Sequence, residues 1–161
     1  MARSRQATIA IVRSAEEFLQ LRSLLEEYEL DLDEDLRHGA EVPDMPALRA
    51  EYAPPNAAFL AFVEGEPAGC AGCVRHDDST AVLQRLYAKP DYRGYGIGRA
   101  LTVAAIDYAR AGGFERIGLD THAGRLRTAY GLYQSLGFAD CEPFARVGYP
   151  CPTFMELRLR G

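Results

Sequence analysis

With 161 residues, 48% of them hydrophobic and 25% charged, the chain has the size and balance of one folded domain, which excludes a disordered or multi-domain protein. No apolar run reaches the ~20 residues of a membrane span, and a net charge of −5 speaks against nucleic acid as the main partner, because phosphate contacts need clustered cations. The first residues, Met1 to Gln6, lack the apolar core of a signal peptide, so a cytoplasmic protein without a membrane partner is expected.

In chain order, Thr8 to Arg13 is rich in β-branched apolar residues and predicts a strand. Ser14-Ala15-Glu16-Glu17 then fits a capping box, in which the serine side chain and the glutamate three residues on satisfy free backbone amides. Phe18, Leu21, Leu25 and Tyr28 follow at helical spacing. The acidic stretch Glu26, Glu27, Glu29, Asp31, Asp33, Glu34 and Asp35 ends this helix. It fits either a solvated helix end or a negative rim that attracts a cationic amine. A second short helix is predicted over Asp44 to Tyr52, stopped by Pro54-Pro55.

Three strands are predicted next, over Ala57 to Glu64, Ala68 to Arg75 and Ala81 to Ala88. The turns between them, Gly65-Glu66-Pro67 and Asp77-Asp78-Ser79, are short enough to join only antiparallel neighbours. The pattern then changes. Gly96 to Ala111 carries Leu101, Ala104, Ala105 and Tyr108 on one helical face and stops at Gly112-Gly113. Ile117 to Asp120 predicts a short buried strand. Arg125 to Leu136 predicts a helix with Leu126, Ala129, Tyr130 and Tyr133 on one stripe and Gly137 as its stop. Two last strands are predicted, over Phe138 to Val147 and Thr153 to Leu159. With no repeat or linker, residues 1–161 form one mixed α/β domain.

Cys70 and Cys73 have the spacing of a metal or redox pair, but within a strand an odd offset points them to opposite faces. No second Cys pair accompanies them and the three histidines are scattered, so reduced structural thiols and no metal site are expected.

The segment from Leu86 to Ala100 is where a strand ends, Gly94, Gly96 and Gly98 follow at alternate positions, and a helix begins. Glycines allow a tight turn and a close approach to backbone amides, and the first amides of a helix lack internal partners at its positive dipole end. That combination suits a phosphate or pyrophosphate, with Lys89, Arg93 and Arg99 adding local positive charge. The glycines fit neither a Gly-x-Gly-x-x-Gly dinucleotide fingerprint nor a P-loop ending in Lys-Ser/Thr. By themselves they equally describe a loop that merely starts a helix.

Two motifs go further. Arg93, Gly96 and Gly98 match Arg/Gln-x-x-Gly-x-Gly/Ala, and Ala129, Leu132, Tyr133, Gly137 and Phe138 match Ala-x-x-Leu-Tyr-x-x-x-Gly-Phe. In these motifs and in the order of its elements the chain resembles the GNAT superfamily of N-acetyltransferases, and Leu119-Asp120-Thr121 resembles a bacterial group within it. The resemblance implies an α/β (α+β) fold. This is a mixed, mostly antiparallel sheet of six to seven strands, flanked by about four helices and splayed between the fourth and fifth strands. It implies acetyl-CoA as co-substrate, held by Arg93, Gly94, Tyr95, Gly96, Ile97, Gly98, Arg99 and Ala100. The pantetheine arm would lie against the strand at Leu86, Tyr87 and Ala88. It assigns Tyr133 to the neighbourhood of the thioester sulfur, as the group that hands a proton to the departing thiolate.

The implied reaction is direct acetyl transfer to an amine, which at a pKa of ~10.4 is neutral in only about one molecule in a few thousand at pH 7 and so needs a base. Many relatives carry a glutamate where this chain has Val82, and an asparagine where it has Leu126. Asp120 and His122 are the candidate replacements for the base. The first helix, the acidic loop from Asp31 to Asp35 and the last two strands are expected to form the acceptor side. Members of the family often pair through their C-terminal strands, so the resemblance allows a homodimer. The alternative implied by Val82 is a non-catalytic acyl-CoA-binding module of the same fold, against which retention of Tyr133 counts.

Overall fold

The computed structural model describes residues 6–32 and 42–159. In order, the elements are β1 (Thr8–Ile11), α1 (Ala15–Asp31), α2 (Met45–Glu51), β2 (Ala57–Val63), β3 (Glu66–Arg75), β4 (Thr80–Ala88), α3 (Ile97–Ala111), β5 (Arg116–Thr121), α4 (Arg127–Ser135), β6 (Ala139–Asp140) and β7 (Thr153–Arg158). Seven strands form one sheet in the order β1-β2-β3-β4-β5-β7-β6. Every neighbouring pair is antiparallel except β4–β5. The mixed, mostly antiparallel sheet and its four described helices agree with the architecture the resemblance implies. None of the described helices is long and apolar enough to cross a membrane.

Two apolar clusters lie on the two faces of this sheet. One joins Leu21, Leu24 and Leu25 of α1 and Leu48 of α2 to Leu60 and Cys70. The other joins Ile97, Leu101 and Ala105 of α3 to Phe59, Cys73, Leu83, Leu119 and Met155. Cys70 and Cys73 thus do face opposite sides, and burial pushes both thiols up to about 12.

Local chemistry explains most boundaries. The Ser14 hydroxyl accepts from the Glu17 amide at 3.1 Å, and the Glu17 carboxylate accepts from the amides of Ser14 and Arg13 at 2.8 and 3.0 Å. This is the reciprocal capping box read from the sequence, and those amides hold the Glu17 carboxyl below its usual range. Asp44 caps α2 through the Ala47 amide at 3.0 Å. The Asp77 carboxylate accepts from the amides of Ser79 and Thr80 at 2.9 and 2.8 Å, closing the β3–β4 turn.

Four sequence expectations need correction. The β2–β3 turn is Glu64-Gly65, both left-handed with φ of 51° and 81°, the two-residue geometry that matches strand twist. Glu66 and Pro67 therefore belong to β3. Proline is accommodated there because the register slips between Ala61, opposite Gly69, and Phe62, opposite Pro67. The strand predicted over Phe138 to Val147 pairs only at Ala139 and Asp140. Beyond Cys141 the chain leaves the sheet, because Pro143, Pro150 and Pro152 offer no donors. There Phe144 packs edge-on against Phe154, with ring centroids 4.9 Å apart. Its ring fills the space left by Gly118, where a Cβ would come within 2.7 Å of it. The strand read over Ile117 to Asp120 runs from Arg116 to Thr121, and the helix read over Arg125 to Leu136 from Arg127 to Ser135. Asp33, Glu34 and Asp35 lie outside the described residues.

Gly69 is the tightest point of the sheet. A Cβ there would sit 2.5 Å from the Tyr87 carbonyl oxygen and 2.8 Å from Ile97 Cγ2. The first obstacle is backbone and cannot swing aside. Gly69→Ala is expected to cost about 1–3 kcal/mol, lowering the melting temperature by about 2–4 °C per kcal/mol for a chain of this length. Thermal melts of the two proteins check this, and an unchanged midpoint would contradict the close β3–β4–α3 approach.

Candidate active site

The parallel ladder between β4 and β5 has three rungs, Thr80–Arg116, Ala81–Ile117 and Val82–Gly118, and then stops. Beyond it β4 stays with β3 as far as Ala88 opposite Gly69, while β5 stays with β7 as far as Thr121 opposite Thr153. A wedge opens between them. On β4 the departure coincides with a bulge. Gln84 pairs with Gly72 and Tyr87 with Cys70, which leaves Arg85 and Leu86 facing Ala71 alone, and Arg85 has a left-handed φ of 55°. After the bulge the Lys89 amide donates to the Ala68 carbonyl at 2.8 Å. Because donors alternate along a strand, the Ala88 and Leu86 amides face the other edge, which β5 has vacated.

Below the wedge the chain turns through a 3₁₀ segment, Pro90–Tyr92, and the loop to α3. Gly94 and Gly96 take φ of 92° and 71°, and a Cβ on either would point into open space. Gly96 is the N-cap of α3 and supplies no side-chain bond, and the first amide bonded within the helix is Ala100, to the Gly96 carbonyl at 3.0 Å. The amides of Ile97, Gly98 and Arg99 thus stand at the positive end of a 15-residue helix without a side-chain cap. Amides so placed suit an anion, and a pyrophosphate is chemically compatible with them. Lys89 lies 3.6 Å from Glu27, Arg93 lies 3.8 Å from Asp31, and Arg99 donates to the Ser135 hydroxyl at 3.3 Å. The Arg93–Asp31 contact is solvent-exposed, worth at most about 1 kcal/mol, so Arg93 is free to turn toward a bound phosphate.

Tyr133 is held by the way its helix ends. Gly137 adopts φ of 98°. The Phe138 amide donates to the Tyr133 carbonyl and the Gly137 amide to the Gln134 carbonyl, each at 3.0 Å. These are the two bonds of a Schellman cap, which normally brings the C3 and C″ side chains together. Here those side chains are Tyr133 and Phe138, with ring centroids 5.8 Å apart. The Tyr-x-x-x-Gly-Phe spacing is thus a helix stop that fixes a tyrosine. Gly98 lets α4 come close to the first turn of α3, since a Cβ there would meet Leu132 Cδ2 at 3.3 Å. Tyr133 is buried, and its hydroxyl has no hydrogen-bond partner among the described residues. Burial first, and the Asp120 carboxylate second, push its phenol above the usual value of 10.0.

On the α1 face of the sheet a cleft of about 210 Å³ is lined by Tyr28 and Glu29 of α1, Val42 and Pro43, Val82 to Arg85 of β4, and Asp120 of β5. Val82 and Asp120 therefore share one face: β4 brings no carboxylate to this point, and β5 does. Asp120 accepts from the Tyr149 hydroxyl at 2.6 Å, and the same hydroxyl lies 3.1 Å from the Thr121 carbonyl. Burial and that bond push the Tyr149 phenol upward. Tyr28 packs against Tyr87 with centroids 6.0 Å apart, and its phenol is likewise raised, chiefly by burial. His122 does not line the cleft. Its Nδ1 accepts from the Arg125 amide at 3.1 Å, which ties it to the turn before α4. Of the other tyrosines, Tyr92 and Tyr95 pack edge-on at 5.9 Å, and Tyr130 donates to Asp140 at 3.0 Å.

Two residues escaped the sequence reading, Arg85 in the cleft lining and Tyr149 behind Asp120. Arg85 carried one visible signal, as the one charged residue of its strand. It donates through Nη1 to Glu51 and to the Tyr52 hydroxyl, each at 3.0 Å, and Gln84 donates to the same two residues at 3.1 and 2.8 Å. Burial opposes the Arg85 charge, but Tyr52 and Glu51 outweigh it and the net shift is upward. Tyr149 carried no signal, because it lies in the loop that leaves the sheet. Of the expected acceptor side, α1 lines the cleft through Tyr28 and Glu29, the last two strands contribute no residue to its lining, and Asp31 lies against Arg93.

The profile described as the acetyltransferase (GNAT) family matches residues 18–138. An uncharacterized N-acetyltransferase of Schizosaccharomyces pombe is 26% identical, with 99% of each chain aligned. The uncharacterized N-acetyltransferase YjgM of Escherichia coli is 32% identical over 73% of this chain and 71% of its own. Among solved structures, an acetyltransferase of Streptococcus agalactiae superposes with a TM-score of 0.72 at 25% identity, covering 96% of this chain and 99% of its own. The yncA protein of Salmonella typhimurium, solved with its cofactor acetyl-CoA, superposes with a TM-score of 0.77 at 21% identity, covering 96% and 94%.

Proposed function

Because the chain belongs to the GNAT acetyltransferase family, we propose that it transfers an acetyl group from acetyl-CoA directly to the amine of an acceptor. The observation that carries this reading is the wedge between β4 and β5, with the uncapped start of α3 following β4 and Tyr133 near enough to Asp120 on β5 for that carboxylate to raise its phenol. A single bound thioester would span all three. The amides of Ile97, Gly98 and Arg99 and the side chain of Arg93 take the pyrophosphate. The Leu86 and Ala88 amides take the pantetheine arm as a strand would, and offer a donor to the carbonyl oxygen as it gains negative charge.

Acetyl-CoA supplies the activated acyl group. The protein supplies proton traffic on either side of it. Asp120 takes the proton that the amine loses as its bond to the acetyl carbon forms. Tyr133 donates its hydroxyl proton to the thiolate left when the carbon–sulfur bond breaks, so one proton enters the protein and one leaves. Tyr149 holds the Asp120 carboxylate in place at 2.6 Å. His122, tied to its turn, has no part in this scheme.

Tyr133→Phe removes only a hydroxyl that bonds to no described protein group, so folding and acetyl-CoA binding should survive while kcat falls about 10²-fold or more. A phenol raised above 10.0 stays protonated across the neutral and mildly alkaline range. The deficit should therefore be constant from about pH 7 to about pH 10. Release of free thiol from acetyl-CoA with a panel of amines measures it, and variant turnover within twofold of wild type would remove Tyr133 from the chemistry and favour a binding module. Asp120→Asn should lower kcat/KM about 10²-fold near neutral pH. That gap should narrow as the pH approaches the pKa of the acceptor amine used, where the free amine no longer needs a base. A gap that stays constant with pH would exclude Asp120 as the proton acceptor.

A further inference from the structure

Arg85 is more than a strut for α2. Its side chain is 26% exposed and its Glu51 partner's 30%. Only Nη1 is engaged, by Glu51 and the Tyr52 hydroxyl. Nε and Nη2 have no partner among the described residues, and neither is sealed from solvent. Here the residue lines the cleft, and the unmatched donors of a planar fork fit a carboxylate in two-point contact. The backbone is shaped for this placement, since Arg85 takes a left-handed conformation that residues with a Cβ rarely adopt.

The same cleft carries the opposite charge elsewhere, in Asp120 and Glu29. It therefore offers a cation site and an anion site within about 210 Å³, room enough for a small metabolite. We propose that the acceptor is a free amino acid, whose carboxylate is gripped by Arg85 while its amine is directed toward Asp120 and the wedge. This rests on the acetyltransferase reading above and leaves its proton balance unchanged.

The test compares free α-amino acids with their matched α-carboxamides in the presence of acetyl-CoA, by thiol release and by thermal stabilisation. The acids should be preferred in kcat/KM by about tenfold or more, because the amide leaves the fork unmatched. Arg85→Gln should bring that ratio close to one. Glu51→Gln should raise it, because it removes the carboxylate that competes for Arg85 while keeping an oxygen for Nη1. If Arg85 only braces α2, both variants would shift the melting temperature and leave the acid-to-amide ratio alone, and the inference falls. It also falls if amides are acetylated as well as acids, or if neither class is acetylated or stabilises the protein while acetyl-CoA still binds. Failure of acetyl-CoA itself to bind would instead remove the acetyltransferase reading.

Discussion

The three-rung parallel ladder between β4 and β5 is the constraint on which the rest of the site depends. Two sub-sheets, β1 to β4 and β5 with β7 and β6, are joined by the short ladder at Thr80, Ala81 and Val82 and by the Ser79 carbonyl just before it, which accepts from the Glu115 and Arg116 amides. Each then follows its own antiparallel partners, and the right-handed twist of each drives them apart. Had the ladder continued, the Leu86 and Ala88 amides would be spent on β5. Because it stops, β4 keeps a row of donors, β5 keeps Asp120 on the cleft, and α4 can bring Tyr133 toward the gap. The bulge at Arg85 and Leu86 marks the same departure on β4.

Helix ends do the remaining positioning. An uncapped start of α3 leaves three amides available, and a fully bonded end of α4 fixes Tyr133 through Gly137 and Phe138. Gly98 connects the two, since its missing side chain lets Leu132 approach the turn that forms the anion cradle. The charge distribution is local rather than global. A chain of net charge −5 concentrates Lys89, Arg93 and Arg99 around one helix start, while carboxylates and the Arg85 fork share the cleft on the sheet's other side. Tyr28, Tyr133 and Tyr149 are all held as neutral phenols by burial, so the region presents hydroxyl donors rather than phenolates.

Much of this was legible in the sequence, for physical reasons. Ser14 with Glu17, Gly96 after Arg93, and Gly137 before Phe138 are local signals whose geometry is fixed within a few residues, and each stands where the pattern put it. The odd spacing of Cys70 and Cys73 fixed their opposite faces in the same way. What could not be read depends on contacts distant in the chain. Nothing near Tyr149 says that its hydroxyl will meet Asp120, 29 positions earlier. Phe138 to Val147 looked like a strand because its aromatic and branched residues do pack, but Phe144 packs beneath the sheet and Pro143 breaks the ladder. A bulge is likewise invisible locally, so nothing in the run from Ala81 to Ala88 marks Arg85 as the residue that sits in one.

Ligand-dependent thermal stability tests the cofactor wedge most directly. Acetyl-CoA at about 100 times its dissociation constant should stabilise the folded protein by about 2.7 kcal/mol, or roughly 5–10 °C for a domain of this length. NAD and ATP at the same concentration should shift the midpoint far less, since neither carries an arm to pair with the vacated edge of β4. Stabilisation by NAD or ATP and not by acetyl-CoA, or by none of the three, would contradict the wedge as an acetyl-CoA site.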